Sequence, residues 1–355
     1  MGWPDAAEPL AWFGGRLATG LEQVAHDPAV LDGGGWWAVL AGFEGDLVLA
    51  RFGDVRPAQL PEASWPGVPI DSWRSSMDHH GYLSAVARVR KEIAAGEVYQ
   101  VNVCRVLSAP LPQPVDVVGL ARLLQRGNPA PYAGVLRLPS HDIAVATASP
   151  ELFLHRDGDL VESGPIKGTG RTAADLTPKD RAENVMIVDL VRNDLGVVAR
   201  TGTVEVPALC TVEEHPGLVH LVSTVRARLR PGAGWRELLT AAFPPGSVTG
   251  APKSSALRLI RELEPTPRGP YCGAVGWVDA DAGTAALAVG IRTFWVAQGT
   301  LRFGTGAGIT WGSDPQREWD ETELKAARLL GVAAGSSDGQ QSDAQSTDGQ
   351  EGQGE

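Results

Sequence analysis

Lys167 stands in the run Ser163-Gly164-Pro165-Ile166-Lys167-Gly168-Thr169-Gly170-Arg171-Thr172, an amine set among glycines and hydroxyls. Glycine lets the main chain come close to a ligand, and the Gly168 and Thr169 amides can donate to an anion. A neutral lysine in such a run can act as a nucleophile, although a solvated lysine in a strand-to-loop turn has the same local composition. Acidic pairs suggest a second chemistry. Asp180 and Glu183 are three residues apart, as are Glu318 and Glu321, and Lys325 follows four later. On helices each pair shares a face. Two such helices could hold magnesium through a few oxygens and leave water positions for a substrate anion, whereas a single pair is often only a solvated face. Glu151 follows Ser149-Pro150, and His220 interrupts the apolar run from Gly217 to Ser223. Each is a candidate proton carrier, and each type also occurs as a hydrogen-bonded core residue.

Two glycine-rich segments fail stricter tests. Gly246-Ser247-Val248-Thr249-Gly250-Ala251-Pro252-Lys253 lacks the Gly-Lys-Ser/Thr succession of a phosphate loop, and Pro252 removes an amide. Gly304-Thr305-Gly306-Ala307-Gly308 lacks the spacing of a dinucleotide fingerprint, and no helical pattern starts there.

With 355 residues, 43% of them hydrophobic, the chain can bury a large core. A formal net charge of -11 argues against nucleic acid or an anionic membrane as a general partner. The amino terminus lacks a basic segment followed by an apolar one, and no apolar run approaches the roughly 18 residues of a membrane span, so a cytoplasmic protein is expected. Cys104, Cys210 and Cys272 are scattered, with no paired spacing, and read as reduced core residues.

The elements that must position the candidate residues follow from periodicity. Residues 1–75 mix tryptophan and glycine and then become proline-rich, a subregion of the same fold with no legible function. From a cap at Asp78, Tyr82, Val86, Val89 and Ile93 recur at helical spacing up to Gly96. Further helices are expected at about Pro178 to Leu195, with Met186, Leu190 and Val191 as the apolar stripe, at about Pro252 to Glu264, and at about Pro315 to Leu330. Alternating strands are expected over Tyr99 to Val106, Ile143 to Ala148, Glu151 to His155, Leu160-Val161, Cys272 to Asp279, Ala285 to Val296 and Leu301 to Phe303. Helices grouped between hairpins point to an α+β fold. The main domain covers residues 76–333, and the acidic tail 334–355 reads as disordered.

Several blocks in order, Tyr99-Gln100-Val101-Asn102, Ser149-Pro150-Glu151, Pro165-Ile166-Lys167-Gly168-Thr169, Glu183 to Asp194, His220 to Ser223, Thr249 to Lys253, Gly306-Ala307-Gly308 and Glu318 to Lys325, resemble the chorismate-utilising enzymes. Within that family the chain is most similar to component I of the aminodeoxychorismate (para-aminobenzoate) synthases, which carry lysine at position 167, where anthranilate synthases resemble Pro-Ile-Ala-Gly-Thr. Thr249 points the same way. Isochorismate- and salicylate-forming relatives carry a water-activating lysine at position 100, and the Gln100 amide cannot be that base.

The resemblance implies a sandwich of two large, mostly antiparallel sheets with helices outside and the site at its centre. It implies Mg2+ on Glu183 and Glu321, supported through water by Glu318 and Asp180, a position where glutamate is commoner. It further implies that Gly168 and Thr169 meet the ring carboxylate of chorismate, and that Tyr271, Arg292 and the Gly306–Gly308 loop meet the pyruvyl carboxylate. Gln100 and Lys325 join the substrate-binding set. Glu151 becomes the acid, which requires a raised pKa, Lys167 the covalent nucleophile, which requires a lowered one, and His220 a supporting group. Because no cysteine lies in a Gly-x-Cys-x-Gly elbow, ammonia is expected from a partner glutamine amidotransferase. Two alternatives stand beside this reading. Anthranilate synthase component I is opposed by Lys167, and a non-catalytic chorismate-binding or amidotransferase-docking protein would not need the whole set of site residues.

Overall fold

The computed structural model describes residues 8–111, 115–170, 172–215 and 218–335. Of the expected acidic tail, only residues 334 and 335 fall among them. The chain opens with strands β1 (Leu10–Phe13), β2 (Arg16–Ala25), β3 (Trp36–Ala41), β4 (Leu47–Pro57) and β5 (Arg74–Ser75). Helix α1 (His79–Ala94) leads into β6 (Gln100–Pro110), and α2 (Val117–Gly127) into β7 (Tyr132–Leu138), β8 (Ile143–Ser149), β9 (Leu152–Asp157), β10 (Leu160–Gly164) and β11 (Ile166–Gly170). Next come α3 (Pro178–Gly196), β12 (Glu205–His215), β13 (Leu218–Arg228), α4 (Trp235–Ala242), β14 (Gly250–Ala251) and α5 (Lys253–Leu263). Strands β15 (Ala274–Asp279), β16 (Thr284–Val289), β17 (Thr293–Ala297) and β18 (Thr300–Ile309) precede the last helix, α6 (Pro315–Ala333).

The fold is α+β, as expected, with every strand pairing antiparallel. One layer runs β6–β18–β17–β8–β7–β1, with β5 and β14 added to β6. The other runs β2–β4–β3–β15–β16–β9–β10–β13–β12, and β11 continues the β10 edge of β13. The β1–β2 hairpin joins the layers into one continuous ladder. Strand alternation divides the core. On β7, Leu136 and Leu138 join the larger cluster with residues of β3, β15 and β16, while Val135 joins a second cluster under α2 and α6. Burying apolar residues on both faces of a strand leaves the strand no solvent side, which explains why β6 is buried almost end to end.

Local signals account for the helices. Asp78 accepts from the Gly81 amide at 2.7 Å, and Tyr82, Val86 and Val89 of α1 are buried. Thr177 and Asp180 form a capping box that starts α3, with Pro178 in the first turn. The buried stripe of α3 differs from the expected one. Ile187, Val188, Val191 and Leu195 are buried with Asn184 and Asp194, while Met186 and Leu190 are only half-buried. The polar members of that stripe are satisfied: the Asn184 side chain donates to the Leu221 carbonyl, and Asp194 takes the Lys253 ammonium.

The expected strand from Ala285 to Val296 is two strands. β16 belongs to the second layer and β17 to the first, so the chain crosses between layers at residues 290–292, where Arg292 has φ 51°. The link from β8 to β9 makes the same crossing at Pro150-Glu151. The crossings are tied together: the Ala148 amide donates to the Arg292 carbonyl, and the Val289 amide to the Glu151 carbonyl, both at 3.0 Å. They run through the middle of the sandwich, which places Glu151 and Arg292 there.

Candidate active site

A cavity of about 530 Å³ opens where the layers meet α3 and α6. Its wall includes nearly every candidate from the sequence: Glu151, Lys167, Gly168, His220, Tyr271, Arg292, Gly306 and Gly308, and the four carboxylates. Gln100 sits just behind it. A Cβ on Gly308 would lie 2.6 Å from Gln100 Nε2 and 3.9 Å from Lys167 Nζ. Neither polar atom of the buried Gln100 amide has a hydrogen-bond partner.

Lys167 reaches in from β11, and its Nζ donates to the Ser247 carbonyl at 2.9 Å. Thr249, fully buried, fixes that turn by donating to the Pro245 and Gly246 carbonyls. Gly168 follows at φ +78°, a conformation that favours glycine, and a Cβ there would meet Asp180 Cβ at 2.8 Å. The bend seats the lysine strand against the first turn of α3. Thr169 pairs through its backbone with His220 across β11–β13, and the buried His220 ring lines the cavity.

Glu151 is buried, with Oε1 unpartnered. Burial pushes its carboxyl above the usual range, and hydrogen bonding from Ser247 and the Ile166 backbone, with the charges of Lys167 and Arg292, draws it partly back. This is the direction a proton donor needs. At the other wall, Tyr271 is buried against Gly304, and burial raises its phenol well above the ordinary value. Burial lowers the Arg292 guanidinium, with Arg328 adding to the effect.

The carboxylates come from two helices. Glu318 on α6 is buried, Glu183 on α3 is half-buried, and Glu321 is half-exposed and paired with Lys325 at 2.6 Å. Lys325 also donates to the Gly306 carbonyl. Burial raises the Glu183 carboxyl; at Glu321 burial acts upward, but Lys325 and the other lysines outweigh it and the carboxyl falls. Asp180 Oδ2 is engaged with the Thr177 amide and hydroxyl. The oxygen-only donor set suits a hard divalent cation, and Glu183 Oε1 is buried without a hydrogen-bond partner, an acceptor open to one. Among the described residues no three such side chains converge closely enough to hold an ion as they stand. The ammonium of Lys179 lies between Glu183 and Glu318 instead.

Lys179, Ser247, Asn102, Asn128 and Arg328 also line the cavity and were not singled out in the sequence. Lys179 had a signal: it lies four residues before Glu183, on the same helical face. Ser247 had none, because a backbone carbonyl is its contribution to Lys167. Lys253 points to Asp194 at 2.7 Å, away from any phosphate-loop role, and Gly304–Gly308 lie within β18.

The central cavity gathers a lysine, a buried glutamate, a guanidinium and carboxylates from two helices. The chain belongs to the family of chorismate binding enzymes, whose profile matches residues 47–331. It is 39% identical over 285 residues to anthranilate synthase component 1 1 of Haloarcula marismortui, covering 76% of this chain and 57% of that one. It is 40% identical over 272 residues to aminodeoxychorismate synthase component 1 of Klebsiella aerogenes, covering 73% of this chain and 59% of that one. The chain therefore spans a little over half the length of these relatives. Its fold matches a solved 2,3-dihydroxybenzoate-specific isochorismate synthase from Bacillus anthracis with a TM-score of 0.78 and 25% identity, over 92% of this chain and 97% of the other. Among the described residues, no helix is long and apolar enough to cross a membrane.

Proposed function

We propose that this chain is the chorismate-aminating component of an aminodeoxychorismate synthase, forming 4-amino-4-deoxychorismate from chorismate and ammonia on the route to para-aminobenzoate and folate. The observation that carries this reading is the Lys167 amine, which lies inside the cavity together with the buried Glu151. A second reading, anthranilate synthase component I, rests on relatives of that name at similar identity. Lys167 opposes it.

Magnesium held by Glu183 and Glu321, with Glu318 and Asp180 supporting through water, would supply positive charge for the ring carboxylate. The Gly168 and Thr169 amides bind the same group, while Arg292, Tyr271 and the Gly306–Gly308 backbone bind the pyruvyl carboxylate; paired guanidinium donors suit a carboxylate. Neutral Lys167 Nζ adds to the ring carbon next to the carboxylate. The double bonds shift, and the ring hydroxyl leaves as water on the proton from Glu151. Ammonia then adds at the vacated carbon and the electrons return to expel Lys167. The His220 ring lines the same cavity as a supporting group. Ammonia comes from a partner component, a glutamine amidotransferase.

Purified protein incubated with chorismate, magnesium and ammonium should yield 4-amino-4-deoxychorismate by mass spectrometry, without the fluorescence of anthranilate. Anthranilate as the main product overturns the proposal. Lys167→Ala should lower turnover with ammonia by about a thousandfold or more while chorismate still binds, as measured by calorimetry. Unchanged turnover removes the covalent role.

A further inference from the structure

Lys179 is oddly placed for a helix residue. It follows Pro178 in the first turn of α3, where unpaired amides make the helix end positive and a cation is disfavoured. Its partner on the same helix, Glu183, lies four residues toward the carboxyl end, the weaker orientation for such a pair. Local helix stability therefore does not explain the lysine. Its surroundings do: Nζ lies 3.3 Å from Glu318 Oε1 on α6 and 3.6 Å from Glu183 Oε1 on α3. One ammonium thus spans the two helices that carry the carboxylates, at the oxygen that has no hydrogen-bond partner. The side chain is 48% exposed, which leaves it a path to water.

From this geometry we infer that Lys179 is a built-in competitor for the divalent cation: its ammonium occupies the position between Glu183 and Glu318 and must swing into solvent before the ion can bind. The inference rests on the reading of these carboxylates as the magnesium site. An ammonium on Glu183 and Glu318 excludes an ion held by Glu183 and Glu321, since like charges repel and the lysine takes an oxygen of Glu183 and the place at Glu318 that the ion's water needs. Lys179 therefore keeps cation affinity low. It also neutralises the facing carboxylates while the ion is away, so that α3 and α6 stay together.

The test is Mn2+ titrated into the full chain, with and without chorismate, with free ion followed by electron paramagnetic resonance. Lys179→Gln and Lys179→Met, both without charge, should bind Mn2+ about tenfold more tightly than the unmodified protein. Lys179→Arg, which keeps the charge, should bind no more tightly. Without Mn2+ the uncharged variants should melt at lower temperature than the unmodified protein, and saturating Mn2+ should remove the deficit. If Lys179→Gln and Lys179→Met bind Mn2+ no better than the unmodified protein while Glu183→Gln abolishes binding, the competitor role is wrong and the metal reading stands. If neither the unmodified protein nor the uncharged variants bind Mn2+ in either condition, both fall.

Discussion

Glu151 shows how one residue type acquires a function from its surroundings. In the sequence it is a carboxyl after a proline, with nothing to distinguish an acid from a surface charge. Its position on a crossing between layers removes it from water, and burial raises its pKa. The consequence has a definite sign. The folded protein favours the protonated form, so ionisation destabilises the fold as pH rises from the ordinary carboxylate range through the raised folded value. Glu151→Gln keeps the shape and cannot ionise. We expect it to lower turnover by about 100- to 10,000-fold, the usual contribution of a positioned acid. It should also melt at higher temperature than the unmodified protein at pH 8, with the difference vanishing toward pH 4. The unmodified enzyme should lose activity on the alkaline side as Glu151 ionises. Differential scanning calorimetry and a pH–rate profile read the two effects; a variant that keeps its activity, or melts lower at pH 8, would show that Glu151 is an ordinary buried carboxylate.

Helix placement was largely legible because caps and apolar spacing are local: Asp78 and Gly96 bracket α1, and Pro178 and Pro315 open α3 and α6. Strand pairing was not, because the partner of a strand lies far away in the chain. The run from Ala285 to Val296 reads as one strand, and only the different neighbours of its two halves break it at Arg292. Likewise Tyr271 was assigned by resemblance alone, since the element that holds it is β18, more than thirty residues further on. Gly304 of β18 lies beneath its ring, and a Cβ there would fall 2.0 Å from Tyr271 Cγ. Backbone on one side and a buried ring on the other leave no easy relief. Gly304→Ala should therefore cost about 1–3 kcal/mol of stability and push Tyr271 out of the cavity wall. Chemical denaturation should show that loss, with KM for chorismate rising more than kcat falls. An unchanged KM would mean that Tyr271 does not contact the substrate.

At the scale of the whole molecule, two layers linked by the β1–β2 hairpin and by two interior crossings frame the candidate cavity, and the reaction proposed for it needs ammonia from elsewhere. A glutaminase needs a reactive thiolate, which forms where a cysteine is accessible and its pKa is depressed. Cys104 and Cys272 lack that access. Cys104 and Cys272 are buried in the core, and burial raises the Cys104 thiol well above its ordinary value. Cys210 is half-buried on β12, and its thiol donates to the Arg181 carbonyl. Isolated protein should accordingly turn over chorismate with ammonium chloride and show no turnover with glutamine as the only nitrogen source. Its rate should rise with pH as ammonium gives up a proton and then fall as Glu151 ionises, a bell shape set by a nucleophile and an acid with opposite requirements. Cys210→Ser should leave the ammonium-driven rate unchanged, because Cys210 does not line the cavity and its thiol contacts the Arg181 carbonyl and the Asn184 side chain on α3. Liquid chromatography of the product under both nitrogen sources decides the matter. Glutamine-dependent turnover by the isolated chain would mean that it carries its own amidotransferase chemistry, and the requirement for a partner component would go with it.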